Sequence, residues 1–391
     1  MTTAVLIDVV RTASAKGKAG GALSEIHASD LYATVLQALI ERTGIDPVLV
    51  DDVITGCVLQ ARDQAGNIAR YGLLSAGFPS SVPGTTIDRQ CGSSLQALQF
   101  AAQGIIAGGY DIVIAGGVES MSRVPMGTNR MGVSQLGRLG EARYPEGLVS
   151  QGISAELIAD KWGFNREELD LFSAESHRRA AAAAPAFARE IVPVTLPDGT
   201  VFDTDETVRA GTSEERLAAL PTPFATEAAR ERFPEIDWKI TAGNSSPLTD
   251  GASAALLMSE EMADRLGLRP RARFVSFSVV GDDPLLMLTG PIPASRKVLA
   301  KAGLSIDDMD AYELNEAFAP VPLAWSRELG ADPAKLNPRG GAIALGHPMG
   351  ASGTRLLATM LSYLEDTSGR YGLEAICEGG GMANAMIIER I

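Results

Sequence analysis

The chain contains few of the residues that build metal sites and disulfide frameworks. Three cysteines and three histidines occur in 391 residues, and neither a CxxC nor an HxxxH spacing is present. Cys57, Cys91 and Cys377 lie too far apart in sequence for a compact disulfide framework. The sequence therefore predicts no structural metal, and it leaves each cysteine as either a small buried hydrophobe or a reactive thiol.

Positive charge and long apolar runs are also scarce. Acidic residues outnumber basic ones by 48 to 34, for a formal net charge of −14, which argues against a nucleic-acid-binding surface because phosphates require a basic face. The apolar run near the N-terminus is interrupted by Asp8 and Arg11, and no membrane-spanning run follows. We therefore expect a cytoplasmic protein without nucleic-acid or membrane partners.

Glycine and apolar residues are abundant. The chain has 41 glycines and is 46% hydrophobic, so it can bury a sizeable core. Alternating strand and helix patterns predict an α/β layer in which helices return the chain to a mostly parallel sheet. A first helix over 31–43 follows Ser29 as its predicted N-cap. Strands are predicted at 4–9, 52–58, 111–115, 254–258, 273–280, 310–314 and 385–389.

The middle of the chain has a different character, rich in arginine and proline and with patchy periodicity apart from a helix opened by Asn165. We interpret residues 121–247 as an insertion. Residues 1–120 and 248–270 then form one half of the protein, and residues 271–391 form a second, related half. Each half places a reactive residue, Cys91 or His347, just before small residues that open an apolar helix.

Cys91 is the candidate nucleophile. It follows a strand-like TTID run and precedes Gly92, Ser93 and Ser94 at the start of a helix predicted over 95–107. The positive end of a helix dipole favours a thiolate and lowers a thiol pKa that starts near about 8.5. The alternative is a cysteine that packs in the core.

His347 is the candidate base. It lies in the glycine-rich run NPRGGAIALGHPMGASG, which can present an imidazole rigidly, and Pro348 favours an extended backbone at His347. His27 and His177 flank helices in ordinary contexts and are predicted to be structural. The pairing of Cys91 with His347 is the arrangement that nucleophilic catalysis by a thiol requires.

Two further segments allow a catalytic or a structural interpretation. Cys377 precedes three glycines in CEGGGM, whose unobstructed amides are suited to an oxyanion hole or to a simple turn. Asn315 follows a strand-like run in YELNEAFAP. It is expected either to cap the following helix or to hold a water or a carbonyl oxygen.

Five motifs together resemble the thiolases in order and spacing: RQCGSSLQA, GGVESMSR, NEAFA, GGAIALGHPMGASG and CEGGGM. The resemblance covers essentially the whole chain. It implies a thiolase-like five-layered α/β/α/β/α fold of two similar halves, with residues 121–247 as a loop domain that covers coenzyme A.

The resemblance also implies roles for the motif residues. Cys91 resembles the nucleophile that takes the acyl group, and His347 the residue that activates it and donates to an oxyanion hole. Cys377 resembles the acid and base at the reacting carbon. Asn315 resembles the residue that holds a water in the first oxyanion hole, and the amides of Cys91 and Gly379 resemble the second hole.

By the same resemblance, the coenzyme A tunnel is expected along Ser246, Ala242, Ala317 and Phe318. Coenzyme A is a substrate or product, so no permanently bound cofactor is expected, and the protein is expected to be a homotetramer or homodimer. The implied activity is acyl transfer to CoA by reversible thiolytic cleavage of 3-ketoacyl-CoA, or Claisen condensation of acetyl-CoA, through an acyl-cysteine. Fatty acid β-oxidation is the expected pathway.

Three departures bear on specificity. Residues 148–156 lack the histidine and methionine of many acetoacetyl-type members and resemble the broad, degradative branch instead. The arginine expected ahead of the PxF stretch is absent at 220–224, and Glu378 stands where an apolar residue is common. If it points inward, the Glu378 carboxylate is expected to raise the pKa of Cys377.

Other functions remain as alternatives. One is an acetyl-CoA C-acetyltransferase specific for acetoacetyl-CoA. A β-ketoacyl synthase shares the fold and the cysteine nucleophile, but the second cysteine and the long insertion argue against it. An inactive CoA-binding homologue is disfavoured because all four catalytic positions are filled.

Overall fold

The computed structural model describes residues 2–391 and contains thirteen strands and thirteen α-helices. The strands are β1 (Ala4–Thr12), β2 (Ala15–Lys16), β3 (Asp52–Gly56), β4 (Gly84–Ile87), β5 (Ile112–Ser120), β6 (Ile191–Val192), β7 (Val194–Thr195), β8 (Val201–Phe202), β9 (Thr249–Ser259), β10 (Ala272–Gly281), β11 (Ala311–Leu314), β12 (Tyr371–Glu378) and β13 (Met382–Arg390). The helices are α1 (Ala28–Thr43), α2 (Ile68–Ser75), α3 (Ser93–Ile106), α4 (Arg138–Arg143), α5 (Gln151–Lys161), α6 (Arg166–Phe187), α7 (Glu214–Ala218), α8 (Glu227–Arg232), α9 (Glu260–Leu266), α10 (Pro291–Ala302), α11 (Pro320–Leu329), α12 (Ala342–Leu345) and α13 (Ser352–Thr367).

Two groups of strands form the two halves. The first has the order β4-β3-β5-β9-β1 and the second β10-β13-β12-β11, and short pairing between β1 and β10 joins them. Only β3–β4, β3–β5 and β11–β12 are parallel among these neighbours, whereas β1–β9, β5–β9, β10–β13 and β12–β13 are antiparallel. The expectation of a mostly parallel sheet is therefore wrong. The strand β12 was missed in the sequence, and its tight turn into β13 requires antiparallel pairing.

The helices complete five layers. Helices α1 and α2 cover the outer face of the first sheet, and α10 covers the outer face of the second. Helices α3 and α13 lie between the sheets and contact strands of both halves. Most residues of both central helices are buried, including every residue from Ser352 to Ser362 in α13, whereas the C-terminal half of α3 exposes Phe100 and Ile106.

Glycines let the two central helices begin close together. A Cβ on Gly353 would overlap the Leu95 amide, and a Cβ on Gly56 would lie 2.5 Å from Ser94 N and 2.6 Å from the Gly350 carbonyl. The Thr354 amide donates to Ser94 Oγ at 3.1 Å. The segments that precede these helices, which carry Cys91 and His347, are thereby held side by side.

Helix caps show where local sequence decides the structure. Helix α1 begins at Ala28 with His27 as its N-cap, because the Ser29 amide donates to His27 Nδ1 at 3.2 Å. The prediction of Ser29 as the cap is therefore wrong. The predicted start of α6 is confirmed: Asn165 and Glu168 form a reciprocal capping box.

The segment 121–247 contains α4 to α8 and the short strands β6 to β8. A buried ion cluster ties it to β1, since Arg11 bonds Glu190 at 2.8 Å and Asp205 at 2.7 Å. No helix within residues 2–391 is long and apolar enough to cross a membrane. Within the same residues, no group of histidine, cysteine and carboxylate side chains is arranged to hold a metal ion.

Candidate active site

Cys91 lies at the turn between β4 and α3, just before the helix N-cap Gly92. Its side chain is 3% exposed. Burial first, and the nearby Glu378 carboxylate second, raise the pKa of the Cys91 thiol to about 12, while a hydrogen bond from the Gln151 side chain lowers it. The expected lowering by the helix dipole is therefore wrong. A dipole contributes about 0.3–2 kcal/mol, which is less than the cost of desolvating a thiolate.

His347 is held as a neutral imidazole. Burial, and secondarily the positive charge of Arg355, lowers its pKa to about 3. The Ser352 hydroxyl donates to the Pro348 carbonyl at 2.9 Å, so its oxygen accepts from His347 Nδ1–H at 2.6 Å. This arrangement leaves His347 Nε2 unprotonated and able to accept a proton.

The backbone around His347 is equally constrained. Gly346 has φ of +81°, and a Cβ there would lie 2.6 Å from Thr249 Oγ1. The same hydroxyl oxygen accepts from the His347 amide at 2.9 Å. Only glycine fits this position without strain, so the glycine-rich run presents the imidazole in one orientation.

Asn315 stands beside the imidazole. Its Nδ2 lies 3.4 Å from His347 Nε2, and its buried Oδ1 accepts no hydrogen bond from the protein. Helix α11 begins only at Pro320, so Asn315 is not the N-cap of that helix. The structure therefore supports the second interpretation of Asn315, a side chain that can hold a water or a carbonyl oxygen, over the first, a helix cap.

Cys377 is the penultimate residue of β12, which ends at Glu378, and it is 1% exposed. It packs in a cluster with Ala317, Phe318 and Ile343. Burial, followed by the nearby charge of Cys91, raises the pKa of Cys377 well above its ordinary value. Cys377 therefore holds its proton as a thiol when substrate arrives.

The turn after Cys377 is built by glycine. Gly380 and Gly381 have φ of +86° and +78°, which only glycine adopts readily, and they reverse the chain into β13. Gly379 precedes them, and a Cβ there would lie 2.9 Å from Gln90 Oε1 on the turn that carries Cys91. The Gly379 segment and the Cys91 segment are therefore neighbours.

Two buried carboxylates that sequence reasoning did not single out organise the site. The oxygens of Glu119 accept from the amides of Val58, Leu59 and Gly350, and from Gln64 Nε2, at 2.8–3.1 Å. Glu316 accepts from Ser176 Oγ at 2.7 Å, and also from Asn337 and the Ile343 amide. Glu119 lies in the motif GGVESMSR and Glu316 in the motif NEAFA. Their place in these motifs was the one feature of the sequence that could have marked them as site residues.

The residues expected along the coenzyme A tunnel lie on two adjoining segments. Ser246 donates from its amide and hydroxyl to the Ala317 carbonyl at 3.0 Å and 3.2 Å. Ser245 pairs with Phe318, and the Phe318 ring meets Phe224 edge to face at 6.1 Å. Ala242 is exposed on the turn that leads to Ser246.

The remaining histidines and cysteine have structural contacts. His177 accepts from the Arg209 amide at 3.1 Å, and burial lowers its pKa to about 4. Cys57 is fully buried, and burial raises the pKa of its thiol well above the ordinary value. Cys57 lies against Gly350 and Glu119, so its role is to pack beside the His347 loop.

The site combines two buried thiols, a neutral histidine and a glycine turn next to the nucleophile. These are the parts that acyl transfer through a cysteine uses. Models of the thiolase N-terminal and C-terminal domains match residues 4–261 and 268–390. The chain therefore belongs to the thiolase family and is an acyltransferase. The five-layered fold expected from the sequence is confirmed.

Individual relatives cover the full length. A steroid 3-ketoacyl-CoA thiolase from Mycobacterium tuberculosis is 49% identical, with 100% of this chain and 95% of the relative covered. A β-ketoadipyl-CoA thiolase from Acinetobacter baylyi is 42% identical, with 100% of both chains covered. The crystal structure of the Bacillus anthracis acetyl-CoA acetyltransferase matches with a TM-score of 0.89 at 38% identity, covering 100% of this chain and 99% of that one.

Proposed function

We propose that this thiolase works in the degradative direction, cleaving 3-ketoacyl-CoAs with CoA to acetyl-CoA and a shortened acyl-CoA. The observation that carries the proposal is the pairing of a nucleophile, Cys91, with a second thiol, Cys377, that burial keeps protonated. A protonated acid beside the nucleophile is what carbon–carbon cleavage needs, because the departing enolate must receive a proton.

In the first half-reaction, His347 Nε2 takes the proton of Cys91, and the sulfur attacks the 3-keto carbon of the substrate. The bond between C2 and C3 then breaks. Its electron pair leaves as the enolate of acetyl-CoA, which takes the proton of Cys377 at C2. The products are acetyl-CoA and an acyl group on Cys91.

In the second half-reaction, the Cys377 thiolate takes the proton of an incoming CoA thiol. The CoA sulfur attacks the acyl carbon, Cys91 leaves as the thiolate, and it recovers the proton held by His347. This ping-pong sequence returns both thiols and the imidazole to their starting states. Coenzyme A enters only as substrate and product, so no permanently bound cofactor takes part.

Two oxyanion holes stabilise the charge that develops on the oxygens. We place one at His347 and at a water held by Asn315, whose Oδ1 is buried without a protein partner. We place the other at the amides of Cys91 and Gly379, which lie on neighbouring segments, since a Cβ on Gly379 would lie 2.9 Å from Gln90 Oε1.

The rest of the chain binds the coenzyme. Residues 121–247 form the loop domain over it, inserted between the parts 1–120 and 248–270 of the N-terminal half, and 271–391 form the C-terminal half. Ser246, Ala242, Ala317 and Phe318 line the pantetheine tunnel. A cytoplasmic homodimer or homotetramer remains a prediction from the sequence.

The proposal of a degradative, broad specificity is supported at the start of α5. Ser150 and Gln151 stand where acetoacetyl-type thiolases carry histidine and methionine, and the Gln151 side chain reaches the Cys91 sulfur. The similarity to a protein named as a steroid 3-ketoacyl-CoA thiolase supports the proposal that this chain acts on 3-ketoacyl-CoAs with bulky acyl groups, including those of β-oxidation. The alternative is an acetoacetyl-CoA-specific acetyltransferase, which the acetyl-CoA acetyltransferase from Chromobacterium violaceum, 44% identical, represents.

A substrate panel tests both functions. We expect CoA-dependent loss of 3-ketoacyl-CoAs of increasing acyl size to be faster than loss of acetoacetyl-CoA, and to vanish in Cys91→Ala. Intact mass measurement after incubation without free CoA is expected to show an acyl adduct on the wild type and none on the variant. A rate that is highest on acetoacetyl-CoA and falls with chain length would instead establish the acetoacetyl-specific enzyme.

A further inference from the structure

A buried carboxyl group behind Cys91 has no role in the chemistry described above. Glu378 is fully buried between Cys377 and Gly379, and neither of its oxygens has a hydrogen-bond partner in the protein. Its Oε1 packs against the α-carbon of Gly92, so that a Cβ on Gly92 would overlap it. The carboxyl group therefore touches the turn that holds the nucleophile.

A second buried oxygen without a hydrogen-bond partner also lies next to Gly92. The buried Oδ1 of Asn384, on β13, would lie 2.6 Å from that Cβ on Gly92 and also has no partner. The Asn384 Nδ2 donates to the Gly92 carbonyl at 3.0 Å, which fixes the amide as oriented. Two buried acceptor oxygens repel one another unless one of them carries a proton.

The charges around Glu378 do not neutralise it directly. Arg89 and Asp88, on the turn before Cys91, act on it with opposite signs, and neither Glu378 oxygen accepts a hydrogen bond from Arg89. Glu378 also lies close enough to Cys91 and Cys377 for its charge to raise the pKa values of both thiols, and both become negative during turnover. An ionised Glu378 would oppose each thiolate.

We propose that Glu378 is a positioning residue that works only when protonated, donating its O–H to Asn384 Oδ1 and so holding Gly92 and the Cys91 amide in place. Loss of this proton to solvent breaks the Asn384 contact and puts a negative charge beside Cys91. Ionisation of Glu378 at alkaline pH thus lowers the reactivity of the Cys91 nucleophile. This inference rests on the proposed role of Cys91.

Glu378 ionises in a pH range that experiments on the folded protein can reach. Burial raises the pKa of Glu378 to about 8, with Arg89 opposing the rise. The carboxyl group is neutral below that pH and ionises above it. At one pH unit above the pKa, only about a tenth of the molecules keep the proton.

The test follows the alkylation of Cys91 by iodoacetamide against pH, with peptide mass spectrometry to assign the site, in wild type and Glu378→Gln. A glutamine side chain keeps a donor for Asn384 and never ionises. We expect the ratio of variant to wild-type alkylation rate to increase about tenfold between about pH 7 and pH 9.5. The same rise is expected in the ratio of kcat/KM on the best substrate of the panel.

Two further variants separate charge from simple packing. Glu374, on the same strand, is also fully buried, but its carboxyl group is near Arg355 and Glu313 rather than Cys91. For Glu374→Gln we expect the ratio of variant to wild-type alkylation rate to stay constant with pH. Arg89→Met removes the charge that favours ionisation, so the alkaline loss is expected at higher pH. This variant also tests the idea if Glu378→Gln fails to fold.

A flat ratio for Glu378→Gln, or an alkaline loss that does not move in Arg89→Met, would overturn the inference. Failure of the proposed function would look different. In that case Cys91 alkylation would keep its pH dependence on Glu378, while no 3-ketoacyl-CoA of the panel would be turned over.

Discussion

Replacing Glu119 by glutamine tests the claim that one buried carboxylate joins the His347 loop to the segment that follows β3. Glu119 Oε2 accepts from the amides of Val58 at 3.0 Å and Gly350 at 2.9 Å. Its Oε1 accepts from the Leu59 amide at 3.1 Å and from Gln64 Nε2 at 2.8 Å. All four donors point at acceptor oxygens, which only the ionised carboxylate supplies on both sides.

The cost follows from the donors left unpaired. In Glu119→Gln, whichever oxygen becomes an NH2 group faces two buried N–H donors. Each buried group that loses its partner costs about 1–3 kcal/mol, so we expect the free energy of unfolding to fall by about 2–6 kcal/mol. Because Gly350 lies in the His347 loop, we also expect kcat to fall by about tenfold or more.

Urea denaturation and steady-state kinetics measure the two effects, with the exposed substitution Glu231→Gln as the control, expected to change stability by less than about 0.5 kcal/mol. A Glu119→Gln enzyme as stable as the control would refute the reasoning. It would mean that Glu119 carries a proton in the folded protein, so that glutamine replaces it without loss.

Two other predictions concern protonation. Ser352→Ala removes the oxygen that accepts from His347 Nδ1–H, so both tautomers of the imidazole become accessible. We expect kcat to fall about 3- to 10-fold with little change in melting temperature. An unchanged kcat would show that other contacts set the tautomer. Stability is expected to depend on pH through Glu378, whose pKa is raised from its ordinary value of 4.5 to about 8 in the folded protein. Between these values the folded state binds more protons than the unfolded state, so stability falls as pH rises, by up to about 5 kcal/mol. Urea titrations at several pH values are expected to show this fall in wild type and a smaller one in Glu378→Gln; equal slopes would contradict the assignment.

Local signals predicted much of the fold correctly. The helix start at Asn165 was recognisable because a capping box is made by residues three apart. The central helices were recognisable as apolar runs after small residues. The tight turn of Gly380 and Gly381 was visible as a glycine run, although the strand before it was not, because Glu374 and Glu378 interrupt its apolar pattern.

The site was predicted less evenly. Cys91, His347, Cys377 and Asn315 were found by motif, and the structure brings them to adjoining segments. The direction of the Cys91 pKa shift was wrong, because burial and the charge of Glu378 come from parts of the chain almost three hundred positions away. Glu119 was overlooked because its four partners lie far from it in sequence, within residues 58–64 and at Gly350.

The sequence by itself determined the chemistry available: which residue types stand beside glycine, which helices can be buried on all sides, and which family the chain resembles. Such features depend on neighbours along the chain, so they are readable in one dimension. Only the tertiary structure decided that His347 is neutral with a free Nε2, that Cys377 keeps its proton, and that Glu378 lies behind Gly92. Each of these depends on desolvation and on partners from distant strands, and no local pattern encodes either.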